Sequence, residues 1–143
     1  MGLITTINQF LLDDSELKNM LANSAIDETL PAIYDHWAPA DTPTPYVNVI
    51  YEIGGSADHP YKRAGSLHID IFVGNGDTKL AEDISRRINK ILLQKRYFKS
   101  LKDGRINIYK STASGGIIPE DDPEIVHWND VYDLSWWDLE IIK

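Results

Sequence analysis

Two kinds of periodicity meet at one glycine turn, and that junction constrains the fold more than any other feature of the chain. In SLHIDIFV, residues 66–73, Leu67, Ile69, Ile71 and Val73 share one face of an extended segment, while Ser66, His68 and Asp70 share the other. Gly74-Asn75-Gly76 ends this strand, and Asp77 or Thr78 supplies N-cap chemistry. Leu80, Ala81, Ile84, Ile88, Ile91 and Leu92 then recur at i, i+3, i+4 spacing, which predicts a helix over about residues 77–95. On its polar side Glu82 precedes Arg86, and Asp83 precedes Arg87, by four residues in the favoured acid-before-base order. A strand and a helix with one apolar face each bury those faces against one another, so the junction predicts a sheet covered by helices on one side.

The rest of the chain extends this pattern. Leu3, Ile4, Ile7, Phe10 and Leu11 predict a first amphipathic helix over residues 3–12. Asp13-Asp14-Ser15 breaks and recaps it, and Leu17, Met20 and Leu21 continue the same apolar surface. Pro31, Pro39, Pro43 and Pro45 leave room only for a short strand around Ile33-Tyr34, followed by an extended loop. In YVNVIYEI, residues 46–53, Val47, Val49, Tyr51 and Ile53 share a face. The connection GGSADHPYKRAG, residues 54–65, predicts a protruding loop between antiparallel strands. Ile106 and Ile108 mark a short strand, and 111–124 reads as a second protruding loop. In the last strand Tyr132, Leu134 and Trp136 alternate, and then Trp137, Leu139 and Ile141 alternate with the opposite parity. Either a β-bulge near 135–137 resets the strand, or both faces are covered there. The order helix–helix–strand–strand–strand–helix–strand–strand predicts a single α+β domain over 1–143. It is a two-layer sandwich whose mostly antiparallel sheet has about 4–5 strands, with the long helix and the N-terminal helix packed on one face.

Composition removes several classes of function. No apolar run approaches the roughly 20 residues of a membrane span, and the start MGLITTINQF has neither the basic nor the small-residue signals of a secretory leader. Cysteine is absent, which removes disulfides, thiolate nucleophiles and cysteine-ligated metals and fits a reducing cytoplasm. The net charge of −8 conceals a partition. Residues 1–78 hold 3 basic and 11 acidic groups, 79–110 hold 10 basic and 3 acidic, and 119–143 hold 1 basic and 8 acidic. Such asymmetry points to a partner surface.

No catalytic constellation emerges. His68 and Asp70, with Asp58-His59 in the preceding loop, have ligand types that suit a divalent cation, but the same pair is the ordinary polar face of a half-exposed strand. His36 and His127 stand beside Trp37 and Trp128 without metal-ligand spacing and read as loop or strand-end residues. Glu120-Asp121-Asp122 with Glu124 lacks the order of a calcium loop and reads as solvated. Gly54-Gly55 and Gly74-Asn75-Gly76 fit no phosphate-binding pattern and read as turns. The basic segment, with Arg86, Arg87, Lys90 and Arg96 among aromatics, has the look of a nucleic-acid footprint. On a chain of pI about 4.8 it is better explained by docking against an acidic neighbour. Trp37, Trp128 and the Trp136-Trp137 pair supply aromatic anchors of the kind enriched at interfaces.

The helical start ITTINQFLLDD, the segment IYDHWAPADTPTPYVNVIYEIGG, the strand LHIDIFVGNGD leading into a long helix, and the closing VYDLSWWDLEII together resemble the tail-terminator (tail-completion, minor tail) proteins of long-tailed bacteriophages and prophages. The likeness spans most of the chain, is strongest over 33–95, and lies in segment order and aromatic and proline placement; residues 111–124 are longer than that pattern. The resemblance implies an α+β structural protein of the virion tail, assembled in the bacterial host cytoplasm. It implies a ring of copies, commonly a hexamer, that ends growth of the tail tube and supports head–tail joining. The implied partners are further copies of itself, the tail tube protein and a head-completion or connector protein. DNA passes through without specific binding, and no membrane, metal, cofactor or catalytic residue is implied. A closed ring needs contacts between unlike faces, which oppositely charged segments suit. Candidate interface residues are Arg63, Arg86, Arg87, Lys90, Arg96, Trp37, Trp128, Trp137, Glu120, Asp121 and Asp122. The alternatives are a head–tail connector or other virion assembly protein, a nucleic-acid-binding module, and a metal-dependent hydrolase built on His68 and Asp70.

Overall fold

The computed structural model describes residues 3–56, 62–94, 97–100, 104–110 and 116–137. Helices α1 (Leu3–Leu12) and α2 (Ser15–Met20) are followed by strands β1 (Ile33–Asp35), β2 (Tyr46–Ser56) and β3 (Lys62–Val73). Helix α3 (Thr78–Gln94) then precedes β4 (Tyr97–Ser100), β5 (Gly104–Lys110), β6 (Ile117–Ile118) and β7 (Val126–Trp137). The sheet is open, with order β1-β2-β3-β7-β5-β4, and β6 pairs with β7 beside β5. Among the described residues only β1 and β2 run parallel; the other pairs are antiparallel. The α+β class is the expected one, and the sheet gains β4 and β6 over the strands that periodicity marked.

Helix α3 begins where the sequence says it should. The Asp77 carboxylate accepts from the Leu80 amide at 3.0 Å, which satisfies one of the free N–H groups of the first turn. Its stripe of Ala81, Ile84, Ile88, Ile91 and Leu92 is buried against Leu67, Ile69 and Ile71 of β3 and Ile108, Tyr132, Leu134 and Trp136 of the neighbouring strands. Ile7, Leu11 and Leu17 from α1 and α2 complete the same core, together with Val47 and Val49. Each buried aliphatic side chain of this kind stabilises the fold by about 1.5–3 kcal/mol.

A polar contact anchors the helix within that core. Asp130 of β7 is 1% exposed and accepts from the Ser85 hydroxyl of α3, from Lys110 Nζ of β5 at 3.1 Å and from Trp128 Nε1 at 3.2 Å. Close by, the Tyr132 hydroxyl donates to Asn89 Oδ1 at 3.1 Å. Burial pushes the Tyr132 phenol far above its ordinary range, with the Asp130 carboxylate acting in the same direction.

Two loop expectations need correction, and one of the two alternatives for the last strand is removed. The connection read as a loop over 54–65 is largely strand: β2 continues to Ser56 and β3 starts at Lys62, which leaves 57–61 outside the described residues. A register shift between Ile53 and Ser56 takes up the glycine pair as a bulge rather than a turn. Farther along, β7 holds an unbroken register with β3 from Val73↔Val126 to Lys62↔Trp137, so no bulge resets it near 135–137. Trp136 is buried with Tyr132 and Leu134, while residues 138–143 lie outside the described residues. The segment 111–124, read as one long loop, contains the short strand β6; 111–115 lie outside the described residues.

Candidate functional site

The sheet face away from the core carries a polar and aromatic constellation. Register places Asn48 of β2 beside Asp70 of β3, and Asp70 beside Asn129 of β7. One residue pair along, Tyr46 sits beside Phe72 and Phe72 beside His127. The Tyr46 and Phe72 rings stack at 4.8 Å, and the Phe72 and His127 rings at 4.2 Å. Tyr34 of β1 meets Tyr46 edge-on at 6.1 Å, and its hydroxyl accepts from the Ala25 amide at 2.9 Å. An aromatic row therefore crosses four strands.

His127 is the hub. Its Nε2 lies 2.7 Å from Asp70 Oδ1 and its Nδ1 lies 2.6 Å from Glu120 Oε1. The Asn129 amide donates to the same Asp70 oxygen at 2.9 Å. His127 and Asp70 side chains are only 13% and 12% exposed, against 35% for Glu120. Burial opposes the charged forms of His127 and Asp70, but their mutual hydrogen bond outweighs it together with those from Glu120 and Asn129. The imidazole is therefore held above its ordinary value and the Asp70 carboxyl below its own. Sequence reading placed His127 on a loop or strand end, as its position at the start of β7 bears out, and weighed a cation site at His68 and Asp70 against the ordinary polar face of a strand. Instead His68 lies 3.8 Å from Glu52, and no group of three or more His, Asp or Glu side chains among the described residues is arranged to hold a metal. The only local sign of the His127 cluster was its place at the start of an alternating strand.

The helix layer carries the other candidates. Arg86 pairs with Glu82 at 2.6 Å as its spacing predicted. Arg87 does not pair with Asp83. It reaches across to α2, with Nη2 2.6 Å from Asp14 Oδ1, Nε 2.9 Å from Asp14 Oδ2 and Nη1 3.1 Å from Glu16. Asp83 is taken instead by Lys79 at 3.1 Å. The Arg87 guanidinium holds the Asp14 carboxyl below the usual carboxylate range, helped by the Leu17 amide that Asp14 caps at 2.9 Å. With Met20, Asp83 and the exposed Lys90, Arg86 and Arg87 line a shallow groove of about 270 Å³. Its cations are thus largely matched by carboxylates of the same chain.

The remaining candidates are scattered. Trp37 is 80% exposed beyond β1. Trp128 packs against the core and donates to Asp130. Asp121 and Asp122 are exposed, and Asp122 accepts from the Glu124 amide at 2.9 Å. Arg63 and Trp137 lie on β3 and β7, opposite Trp136 and Lys62 respectively. Their side chains, and the whole of Arg96, lie outside the described residues. Among the described residues no helix is long and apolar enough to cross a membrane.

No known family pattern and no curated protein matches the chain. Solved structures do. A chain from the virion of a native gene transfer agent particle superposes with a TM-score of 0.71 at 13% identity, covering 92% of this chain and 91% of its own length. A second solved structure superposes with a TM-score of 0.59 at 9% identity, covering 94% and 96%. At these identities the likeness establishes a shared fold.

Proposed function

We propose that the protein is a structural component of a phage-like virion, and within it a tail terminator. In this reading copies form a ring at the head-proximal end of the tail tube, stop its growth and support joining to the head. The observation that carries the reading is the full-length fold likeness to a chain of the gene transfer agent virion, near 90% of both chains. The segment order and the aromatic and proline placement, which resemble tail terminators, support the finer role. Ring closure requires unlike faces to meet. Exposed Trp37 and Lys90 of one copy, meeting the exposed carboxylates Asp121 and Asp122 of the next, are the groups proposed to make that contact; Glu120, held by His127 within its own chain, is a secondary participant. Arg63, Arg96 and Trp137 remain proposed participants. Arg86 and Arg87 have carboxylate partners within their own chain, so their contribution to the ring is secondary.

Imaging tests this directly. Deleting the gene from the phage-like element that encodes it should give tails of uncontrolled length without heads. Supplying the protein should restore uniform, head-joined tails with a ring at the tube end. Normal tails in the deletion would overturn the proposal.

A further inference from the structure

We propose that His127 is a pH-operated latch that fastens the segment 116–124, with its strand β6, to the open face of the sheet. That segment is tied down at a few points. Ile117 and Ile118 pair with Trp128 and His127 in the sheet, and the Asn129 amide donates to the Gly116 carbonyl at 3.0 Å. The Gly76 amide donates to the Glu124 carbonyl at 2.7 Å. Among the described residues, Glu120 to His127 at 2.6 Å is the side-chain tether between segment and sheet.

The chemistry of imidazole makes this tether conditional. A protonated ring donates from both nitrogens and serves Asp70 and Glu120 together. A neutral ring has a single N–H, so one carboxylate then faces a lone pair instead of a donor. Asp70 keeps the proton because it is the more buried of the two, and moving its charge away from a donor costs more than returning Glu120 to water. Glu120 is therefore the group released. The groups facing the imidazole are Asp70 and, farther along β3, His68; Asn129 on its own strand; and Glu120 with the Tyr46 phenol beyond Phe72. The two carboxylates dominate this set, so the latch stays closed through the acid side of neutrality and opens as pH rises. Release loosens a ribbon that presents two exposed isoleucines, 55% and 40% accessible, beside Glu120, Asp121 and Asp122. An apolar and acidic surface is thereby held in one position below the transition and freed above it.

Backbone hydrogen exchange of the full chain, followed by mass spectrometry between about pH 5.5 and 9 and corrected for intrinsic base catalysis, tests the latch. The wild type should show a step of about tenfold or more in exchange over 116–124, coincident with imidazole deprotonation seen by NMR. Glu120→Gln, a change at a partly exposed side chain, should abolish the step while leaving exchange in α3 unchanged. His68→Gln should retain it. A wild type without the step, a step that survives in Glu120→Gln, or one lost in His68→Gln would overturn the proposal.

Discussion

Arg87 of α3 grips Asp14, the N-cap of α2, across 73 residues of chain through two parallel hydrogen bonds of 2.6 and 2.9 Å. The same carboxylate accepts from the Leu17 amide, so a single side chain both starts a helix and docks it. Because α2 has only six residues, its position depends on this contact and on the buried Leu17.

Asp14→Ala should therefore lower stability by about 1–2 kcal/mol in urea unfolding, and Asp14→Asn, which keeps the cap acceptor, by less. The Asp14 carboxyl is held below its ordinary value near 3.8, so its contribution is present above that value and is lost as pH falls through the depressed one. The gap between wild type and Asp14→Asn should close on acidification. Arg86→Gln, which touches only an exposed pair, should leave the unfolding midpoint nearly unchanged. A fall for Arg86→Gln as large as that for Asp14→Ala would contradict the assignment.

Asp130 offers a stronger test of how the layers are joined. Removing its carboxylate in Asp130→Ala leaves the buried Ser85 hydroxyl and the Trp128 indole without their acceptor, while the exposed Lys110 ammonium returns to water. Leaving buried donors without an acceptor costs about 1–3 kcal/mol, measurable as a fall in the urea midpoint. Ser85→Ala loses one neutral donor and should cost about 1 kcal/mol.

Gly65 predicts a steric effect. A Cβ there would stand 2.5 Å from the Glu52 carbonyl oxygen and 3.5 Å from Trp136 Cη2. Gly65→Ala should force β2 and β3 apart and cost about 1–3 kcal/mol in thermal unfolding. The Trp136 fluorescence should shift with it, since Trp136 is buried beside this strand.

How much of this was legible varies with distance along the chain. The α3 stripe, its Asp77 cap and the Glu82–Arg86 pair were readable because each depends on residues within a turn or two. The apolar faces of β2 and β3 were readable for the same reason. Strand β4 and the two-residue β6 were not, since neither is long enough to show a period; backbone pairing with β5 and β7 alone makes them strands. The glycine pair 54–55 looked like a turn because glycine marks turns and bulges alike, and only pairing with β3 distinguishes them.

The sequence by itself determined the α+β class, the three helices, the buried faces of β2 and β3 and the partition of charge, because local periodicity and capping encode these directly. Tertiary structure decided the partners. Arg87 turns from Asp83 to Asp14, Asp70 takes His127 as its partner, and the cations of α3 find carboxylates within the chain. An ion pair is chosen by distance, burial and competing partners in space, and a linear sequence holds those quantities only once the sheet has fixed which strands lie side by side.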